Sequence, residues 1–432
     1  MDVTGFNVIG PVSGKVGVSV HVRYLIELLH ANGHPMAIFD FDSGPDGSGQ
    51  DPRFAGLYVS SPAELPYKIN LFVFDIKTLC SFLSRHSDFA SRTDILNTGI
   101  IVWELTVLPP IWKQALRHVD VMLCASNFIR GTFDSCLPET LTLDAPCPVV
   151  LPEGISAARR EFGLPEDQVL FISSLDLGSS PERKNPFATI DAFDQAFAGD
   201  PRAGLVIKLT NNRPWAKDAQ QGLAKLKQHI RKNPQIHVLD QALSYPRVLA
   251  LYASCDVYVS LHRSEGLGLG LMEAMLLGKP VIATAWSGNM SYMNYTNSCL
   301  VRYTLVRVNS THPNFAARFV GNDALWAEPD LSHASAWMRT LVEDADLRDQ
   351  IGRRAASDMT EYNRTASHAS FVDELKVIWE YRRFLPRHRG AVAVDEDQLW
   401  WAARGRQPTL WGRSLRELNK FYVRHLQWRL RK

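Results

Sequence analysis

Residues 264–289 read SEGLGLGLMEAMLLGKPVIATAWSGN, with Glu265 and Glu273 at the two ends of an alternating Gly-Leu run. Glycine costs backbone entropy wherever it is ordered. Gly266, Gly268 and Gly270 therefore imply backbone that takes unusual torsions or comes close to something. The run follows DVYVSL (256–261), an apolar stretch of strand length. It leads into LMEAMLL, with Gly278 as a helix stop, and Lys279 and Pro280 open the next apolar run, PVIATA (280–285). The order is strand, loop, helix, strand. It places Glu265 in a loop at the carboxyl edge of a parallel strand and Glu273 in the first helical turn. Open α/β sheets bind ligands at that edge.

The same alternation extends in both directions. Strand-like runs are residues 5–9, MAIFDF (36–41), INLFVF (69–74), GIIVW (99–103), VDVMLCAS (119–126), VLFISSL (169–175), GLVIKL (204–209) and IHVL (236–239). Helical spacing separates most of them, as in VSVHVRYLIELLHA (18–31) with Gly33 as its stop. Continuous apolar strands between helices indicate parallel sheets covered on both faces, the doubly wound α/β class. The pattern pauses at CPVVLPEGISAARREFG (147–163) and restarts. Two Rossmann-like domains are expected, 1–155 and 156–365, followed by a helical stretch over 366–386 and a tail over 387–432.

A chain of 432 residues fits two or three domains, and 46% hydrophobic with 21% charged residues fits a globular protein. Lys+Arg is 47 against Asp+Glu 45, so no overall field points to nucleic acid, and no nucleic-acid partner is expected. The six cysteines form no CxxC pair and read as reduced thiols of a cytoplasmic protein. MDVTGFNVIG lacks the features of a signal peptide, and no run reaches the roughly 18 apolar residues of a spanning helix. The tail carries Trp400, Trp401, Trp411 and Trp428. Its last part sets Arg413, Arg416, Lys420, Arg424, Arg429, Arg431 and Lys432 against Glu417. It reads either as a peripheral contact with anionic membrane or as a helix docked on the protein's own surface.

Amides at a glycine-rich helix start suit an anionic group such as a diphosphate. A carboxylate at each end can accept hydrogen bonds from sugar or ribose hydroxyls. The competing reading makes Glu273 a partner of the helix dipole and Glu265 a solvated loop residue. Other signals are weaker. GPVSGKV is one residue short of a phosphate-binding P-loop, with Val16 where Ser or Thr would stand; GLGLGL places Leu271 at the third glycine of a dinucleotide fingerprint. Asp40-Phe41-Asp42 mimics a metal-binding DxD after an early strand, and the histidines are dispersed, so neither a catalytic metal nor a cofactor is expected.

The block EGLGLGLMEAMLLGKPVIAT, with its E-x7-E spacing, resembles the signature of family 4 nucleotide-sugar glycosyltransferases, retaining enzymes of the GT-B fold. The resemblance implies that Glu265 contacts the transferred sugar and Glu273 the nucleotide ribose, with Gly266, Gly268 and Leu269 offering amides to the diphosphate. GPVSGKVGVSVHVRYLIELL is similar to the family's first strand–loop–helix, which puts Gly17 and Val18, with His21, at the donor diphosphate. SLDLGSSPERKNPFATIDAFDQAF is similar to the segment whose basic residues neutralise the phosphates. Lys184 falls on the family lysine; Arg183 is adjacent, and the arginine many members place about five residues earlier is missing. Where many relatives carry a histidine near the reacting centre, this chain has Trp103 and Glu104, and Glu104 is the candidate. VWELTVLPPIWKQALRHVDVMLCASNFI and SGNMSYM, around Asn289, resemble a branch acting in bacterial surface-polysaccharide assembly.

That branch implies a hexose donor, with GDP-mannose favoured, and a polyprenyl-diphosphate-linked oligosaccharide as acceptor at the inner face of the cytoplasmic membrane. It also implies a helix near 366–384 crossing back to the first domain. A transfer of this kind leaves negative charge on a diphosphate, which Arg183, Lys184 and a helix N-terminus would stabilise without a metal. An NAD(P)-dependent oxidoreductase and a non-catalytic nucleotide-sugar-binding homologue are the alternatives.

Overall fold

The computed structural model describes residues 5–14, 16–42, 49–176, 180–210, 217–230, 233–241, 243–310, 315, 320–321 and 323–385. The basic tail from residue 387 lies outside them. A first parallel sheet has the order β2-β1-β3-β4-β5-β6, formed by β1 (Phe6–Gly10), β2 (Met36–Asp40), β3 (Ile69–Asp75), β4 (Leu96–Val102), β5 (Val121–Cys124) and β6 (Leu141–Asp144). A second has the order β12-β11-β10-β7-β8-β9, from β7 (Val169–Asp176), β8 (Ala203–Thr210), β9 (Ile236–Asp240), β10 (Val257–Ser260), β11 (Val281–Thr284) and β12 (Cys299–Val301). An antiparallel ribbon of β13 (Tyr303–Arg307) and β14 (Leu325–Pro329) follows.

The strands form where they do because they are apolar on both faces. INLFVFD of β3 is buried along all but its last residue, which only helices on both sides of a parallel sheet can achieve. Register in the first sheet is pinned by a buried amide ladder. Asn7 donates to Asn70 Oδ1 (2.8 Å), Asn70 to Asn97 Oδ1 (2.9 Å), and Asn97 to His118 O (3.0 Å). These asparagines stand opposite one another on β1, β3 and β4, so a one-residue slip would strand all three amides in apolar surroundings.

Strand order decides where a ligand can sit. Counted from β7, the second sheet runs 3-2-1-4-5-6, and the winding reverses between β7 and β10. In the first sheet it reverses between β1 and β3. A crevice opens at the carboxyl ends of each such pair.

The end of the described chain ties the two domains together. Helix Ala345–Ala366 packs Ala355 and Met359 beside Met272 and Met275 of the second domain. After Ala369, in the left-handed region at φ 49°, helix Ser370–Tyr381 buries Phe371, Val372, Leu375 and Trp379 with Val8, Leu25 and Leu29 of the first domain. Each such large apolar side chain contributes roughly 1.5–3 kcal/mol by burial. Near the ribbon, Phe315 stacks on Trp103 of the first domain at 5.7 Å between centroids. No disulfide joins the six cysteines, and none of the described helices is long and apolar enough to cross a membrane.

Candidate active site

A cleft of about 830 Å³ opens between the carboxyl ends of the two sheets. Its second-domain wall is built at the β7/β10 reversal. A short helix after β7, Pro181–Lys184, is capped by Ser180, whose hydroxyl accepts from the Arg183 amide (3.3 Å). That cap directs Arg183 and Lys184 toward the loop after β10. Lys184 Nζ lies 2.5 Å from Glu265 Oε1, and Arg183 Nη1 lies 3.1 Å from Glu265 Oε2. Arg183 Nη1 also donates to Ser264 O (2.7 Å), and its Nη2 reaches Glu104 Oε1, 3.2 Å away, from the turn after β4 in the first domain.

Burial alone would raise the Glu265 carboxyl, but Lys184 and Arg183 overcome it and hold Glu265 at about 2. Glu104 is treated differently. Burial outweighs its attraction to Arg183, and the neighbouring Glu265 adds to the rise, so its carboxyl goes up. Burial would likewise lower the Arg183 guanidinium, yet its two carboxylate neighbours reverse the sign. Arg183 is only 4% exposed. The sequence reading set it beside Lys184 at a diphosphate; in the structure it lines the cleft as a largely buried strut between Glu104 and Glu265. Of the two cations, Lys184 has the more exposed side chain.

The Gly-Leu run answers to two demands. Gly268 takes φ 90° at the start of helix Leu269–Leu276, and an added Cβ would lie 2.5 Å from Leu271 Cδ1. At Gly266 a Cβ would lie 3.0 Å from the carbonyl oxygen of Trp103, across the domain boundary. Gly266 O accepts a hydrogen bond from Ser126 Oγ (2.6 Å), also of the first domain. The glycines thus let the loop touch the other domain as well as line the cleft. Leu269 and Gly270 line it with the first amides of the helix, which have no intrahelical acceptor.

Helix Leu269–Leu276 begins late enough that Glu273 stands in its second turn, not the first. Glu273 is 5% exposed, and burial pushes it up to about 7, against the lowering effect of Tyr245, which donates to it, and of the neighbouring Tyr24 hydroxyl. A partner of the helix dipole would be exposed in the first turn, so that reading fails. On the opposite wall, helix Gly17–Ala31 starts after Val16 in extended conformation with no side-chain cap. Gly17 is exposed there and Val18 half-buried, and both line the cleft. His21, one turn on, is lowered by burial to about 4 and is a neutral imidazole at pH 7.

Asn289 does not line the cleft. It is fully buried, donates to Thr284 O (3.0 Å), and its Oδ1 lies 3.2 Å from His262 Nε2. Its part is to fix the loop after β11, behind the site. Asp40, half of the DxD look-alike, accepts from the Ser13 amide (3.2 Å), and no group of three His, Cys, Asp or Glu gathers as a metal centre among the described residues.

Sequence reading missed Ser126, Ser264, Tyr24, Tyr245 and Lys208. Ser126 caps helix Asn127–Cys136 by accepting from Ile129 N, which its sequence position does suggest; its reach to Gly266 is a product of the fold. Lys208, 2% exposed near the end of β8, lines the cleft and donates to Thr210 Oγ1.

Residues 155–301 match the profile of the family described as Glycosyl transferases group 1. That match falls within the second domain. A stretch of 187 residues is 24% identical to the serotype-specific mannosyltransferase WbdA of Escherichia coli, covering 40% of this chain and 22% of that protein. Among solved structures, sucrose-phosphate synthase from Thermosynechococcus elongatus superposes with a TM-score of 0.62 at 15% identity, over 88% of this chain and 98% of the other. Anabaena HepE, in complex with UDP and glucose, gives 0.59 at 16%, over 86% and 100%. The likeness is one of fold, and the fold is GT-B. The group 1 match ends with β12, so it contains both glutamates, Arg183 and Lys184.

Proposed function

We propose that the chain is a metal-independent glycosyltransferase that moves a hexosyl group from a nucleotide sugar to a glycan, with retention at the anomeric carbon. The observation that carries this reading is the Glu265–Lys184 pair, set in the switch-point crevice between two uncapped helix starts. Departure of a nucleoside diphosphate needs positive charge where the leaving oxygens collect. Lys184 and the starts of helices Gly17–Ala31 and Leu269–Leu276 offer it along the cleft. Glu265, held ionised at about 2, is suited to accept hydrogen bonds from the sugar's hydroxyls and to fix its position. Glu273 stands one helical turn further, where a ribose would accompany the diphosphate. Glu104, with its raised carboxyl on the first-domain side, is placed to meet the acceptor. In this reading the donor phosphate itself takes the acceptor's proton.

GDP-mannose is the donor we put forward, on the partial likeness to a mannosyltransferase. The relatives bound to UDP or UDP-glucose share the fold at low identity and do not decide the base. We further propose a polyprenyl-diphosphate-linked oligosaccharide acceptor, reached from the cytoplasmic face of the membrane. At the end of the crossing helix Val377, Tyr381 and Phe384 are 58%, 63% and 69% exposed beside Arg382 and Arg383, a composition suited to an anionic lipid surface.

The test is a thermal-shift panel of GDP, UDP, ADP, their sugar conjugates and NAD. A ligand at about 100 times its dissociation constant should stabilise by roughly 2.7 kcal/mol. A shift with GDP and GDP-mannose, followed by hexosyl transfer to a lipid-linked glycan, is the expected result. A shift with NAD alone would sink the reading.

A further inference from the structure

Three side chains form a polar chain across the domain boundary beside the cleft. Tyr245 Oη donates to Glu273 Oε1 (2.9 Å), and Tyr24 Oη, from helix Gly17–Ala31 of the first domain, is hydrogen-bonded to Tyr245 Oη. A phenol has one hydrogen to give. Tyr245 gives it to the carboxylate, so Tyr24 must donate to Tyr245, and the chain is polarised from the first domain toward Glu273. Hydrogen bonds in series strengthen one another. Tyr245 lines the cleft beside Glu273, whereas Tyr24 stands behind it.

We propose that Tyr245, supported by Tyr24, is a positioning residue for the donor. It orients Glu273 toward the ribose hydroxyls and makes ribose binding depend on contact between the two domains. The inference rests on the proposed function, since it assumes a nucleotide in this cleft. One oxygen of Glu273 is satisfied by Tyr245, which leaves the other to accept from the ribose. An isolated carboxyl buried this deeply loses its charge more readily; the two phenols are what favour the charged, accepting form.

The surroundings make the effect readable. From helix Gly17–Ala31 the neighbouring groups are Tyr24, Arg23 and His21. Arg23 donates to Val12 O (2.7 Å) and Gly14 O (3.0 Å). His21 is neutral above pH 6, with its imidazole lowered to about 4 by burial. From helix Tyr245–Ser254 come Tyr245 and Tyr252; Tyr258 on β10, Tyr292 and Cys147 complete the set. Burial raises all of these phenols and the thiol, leaving them uncharged to high pH. Glu265, held at about 2, is ionised throughout. Between pH 6 and 9 Glu273 is therefore the group among them that titrates.

The experiment measures GDP binding, with UDP in parallel, by calorimetry from pH 6 to 9. It uses the full chain and the variants Tyr245→Phe, Tyr24→Phe and Glu273→Gln. Binding to the wild-type chain should strengthen through about pH 7, as Glu273 ionises, and then level off. Tyr245→Phe should move that midpoint upward, weaken binding several-fold at pH 7 and restore most of it at pH 9. Tyr24→Phe, although it touches no donor atom, should shift the midpoint the same way by less. Glu273→Gln should remove the pH dependence. A uniform loss at every pH in Tyr245→Phe, or an unmoved midpoint, would overturn the inference while leaving the function intact. Failure of the wild-type chain to bind either nucleotide would overturn the functional reading first.

Discussion

Lys184 and Glu265 stand 2.5 Å apart in the cleft, and that contact sets what each does alone. Under the proposed function the lysine is shared between a carboxylate that is always present and a diphosphate that arrives. Glu265→Gln should therefore lower kcat by a hundredfold or more while GDP affinity holds or rises, because Nζ no longer has a full charge to satisfy. Steady-state kinetics beside calorimetry would separate the two, and a parallel fall in affinity would refute the assignment. Lys184→Ala should lose both. It should also leave Glu265 with Arg183 as its one cationic partner from that short helix, raising its carboxyl. The roles were only partly visible in the sequence. Both glutamates could be placed because strand, loop and helix order fixes which residues reach a sheet's carboxyl edge, and the lysine through the family resemblance. Asn289 could not, since nothing in SGNMSYM says whether an amide faces a cleft or His262 behind it. Neither could the buried state of Arg183, which depends on Glu104 arriving from the other domain.

Elements were legible in proportion to their apolar length. The strands β3, β4, β7 and β8, seven or eight residues long, could be read because each carries a mostly apolar stretch that suits burial on both faces. β6 (LTLD) and β12 (CLV) are four and three residues long, too short to show a period. β13 (YTLVR) has no buried residue, and no buried apolar run marked it. Glycines give a test of opposite signs at this scale. Gly268→Ala forces a Cβ into the left-handed region and toward Leu271 and the Tyr292 hydroxyl. It should cost about 1–2 kcal/mol from backbone strain alone and weaken nucleotide binding by displacing the first helix amides. Gly131→Ala, inside helix Asn127–Cys136 with no atom within 4 Å of the new Cβ, should instead stabilise by about 0.5–1 kcal/mol. Chemical denaturation of both variants decides it; the same sign for both would mean the helix start is not held as described.

Because helix Ser370–Tyr381 buries its face in the first domain while the preceding helix packs on the second, the two domains should melt in one transition, and buried groups in either should report on it. His21 and Glu273, one from each domain, are opposed in sign. Burial lowers His21 from 6.5 to about 4, so its folded form favours the neutral ring, and stability falls as pH drops from about 6.5 toward 4. Burial raises Glu273 from 4.5 to about 7, so its contribution is complete below 4.5 and is lost as pH rises through about 7. Each displacement corresponds to about 3 kcal/mol at most. Glu273→Gln should thus match the wild-type chain near pH 5 and exceed it progressively by pH 8, while losing nucleotide affinity, a trade of function against stability. His21→Asn should behave in the opposite sense, its deficit at pH 8 closing as the solution is acidified. The measurement is the melting temperature of each variant relative to wild type at matched pH from 5 to 8. A Glu273→Gln difference that stays constant across that range would show that the carboxyl is not buried with its titration raised to about 7, the shift on which the pH dependence of donor binding rests.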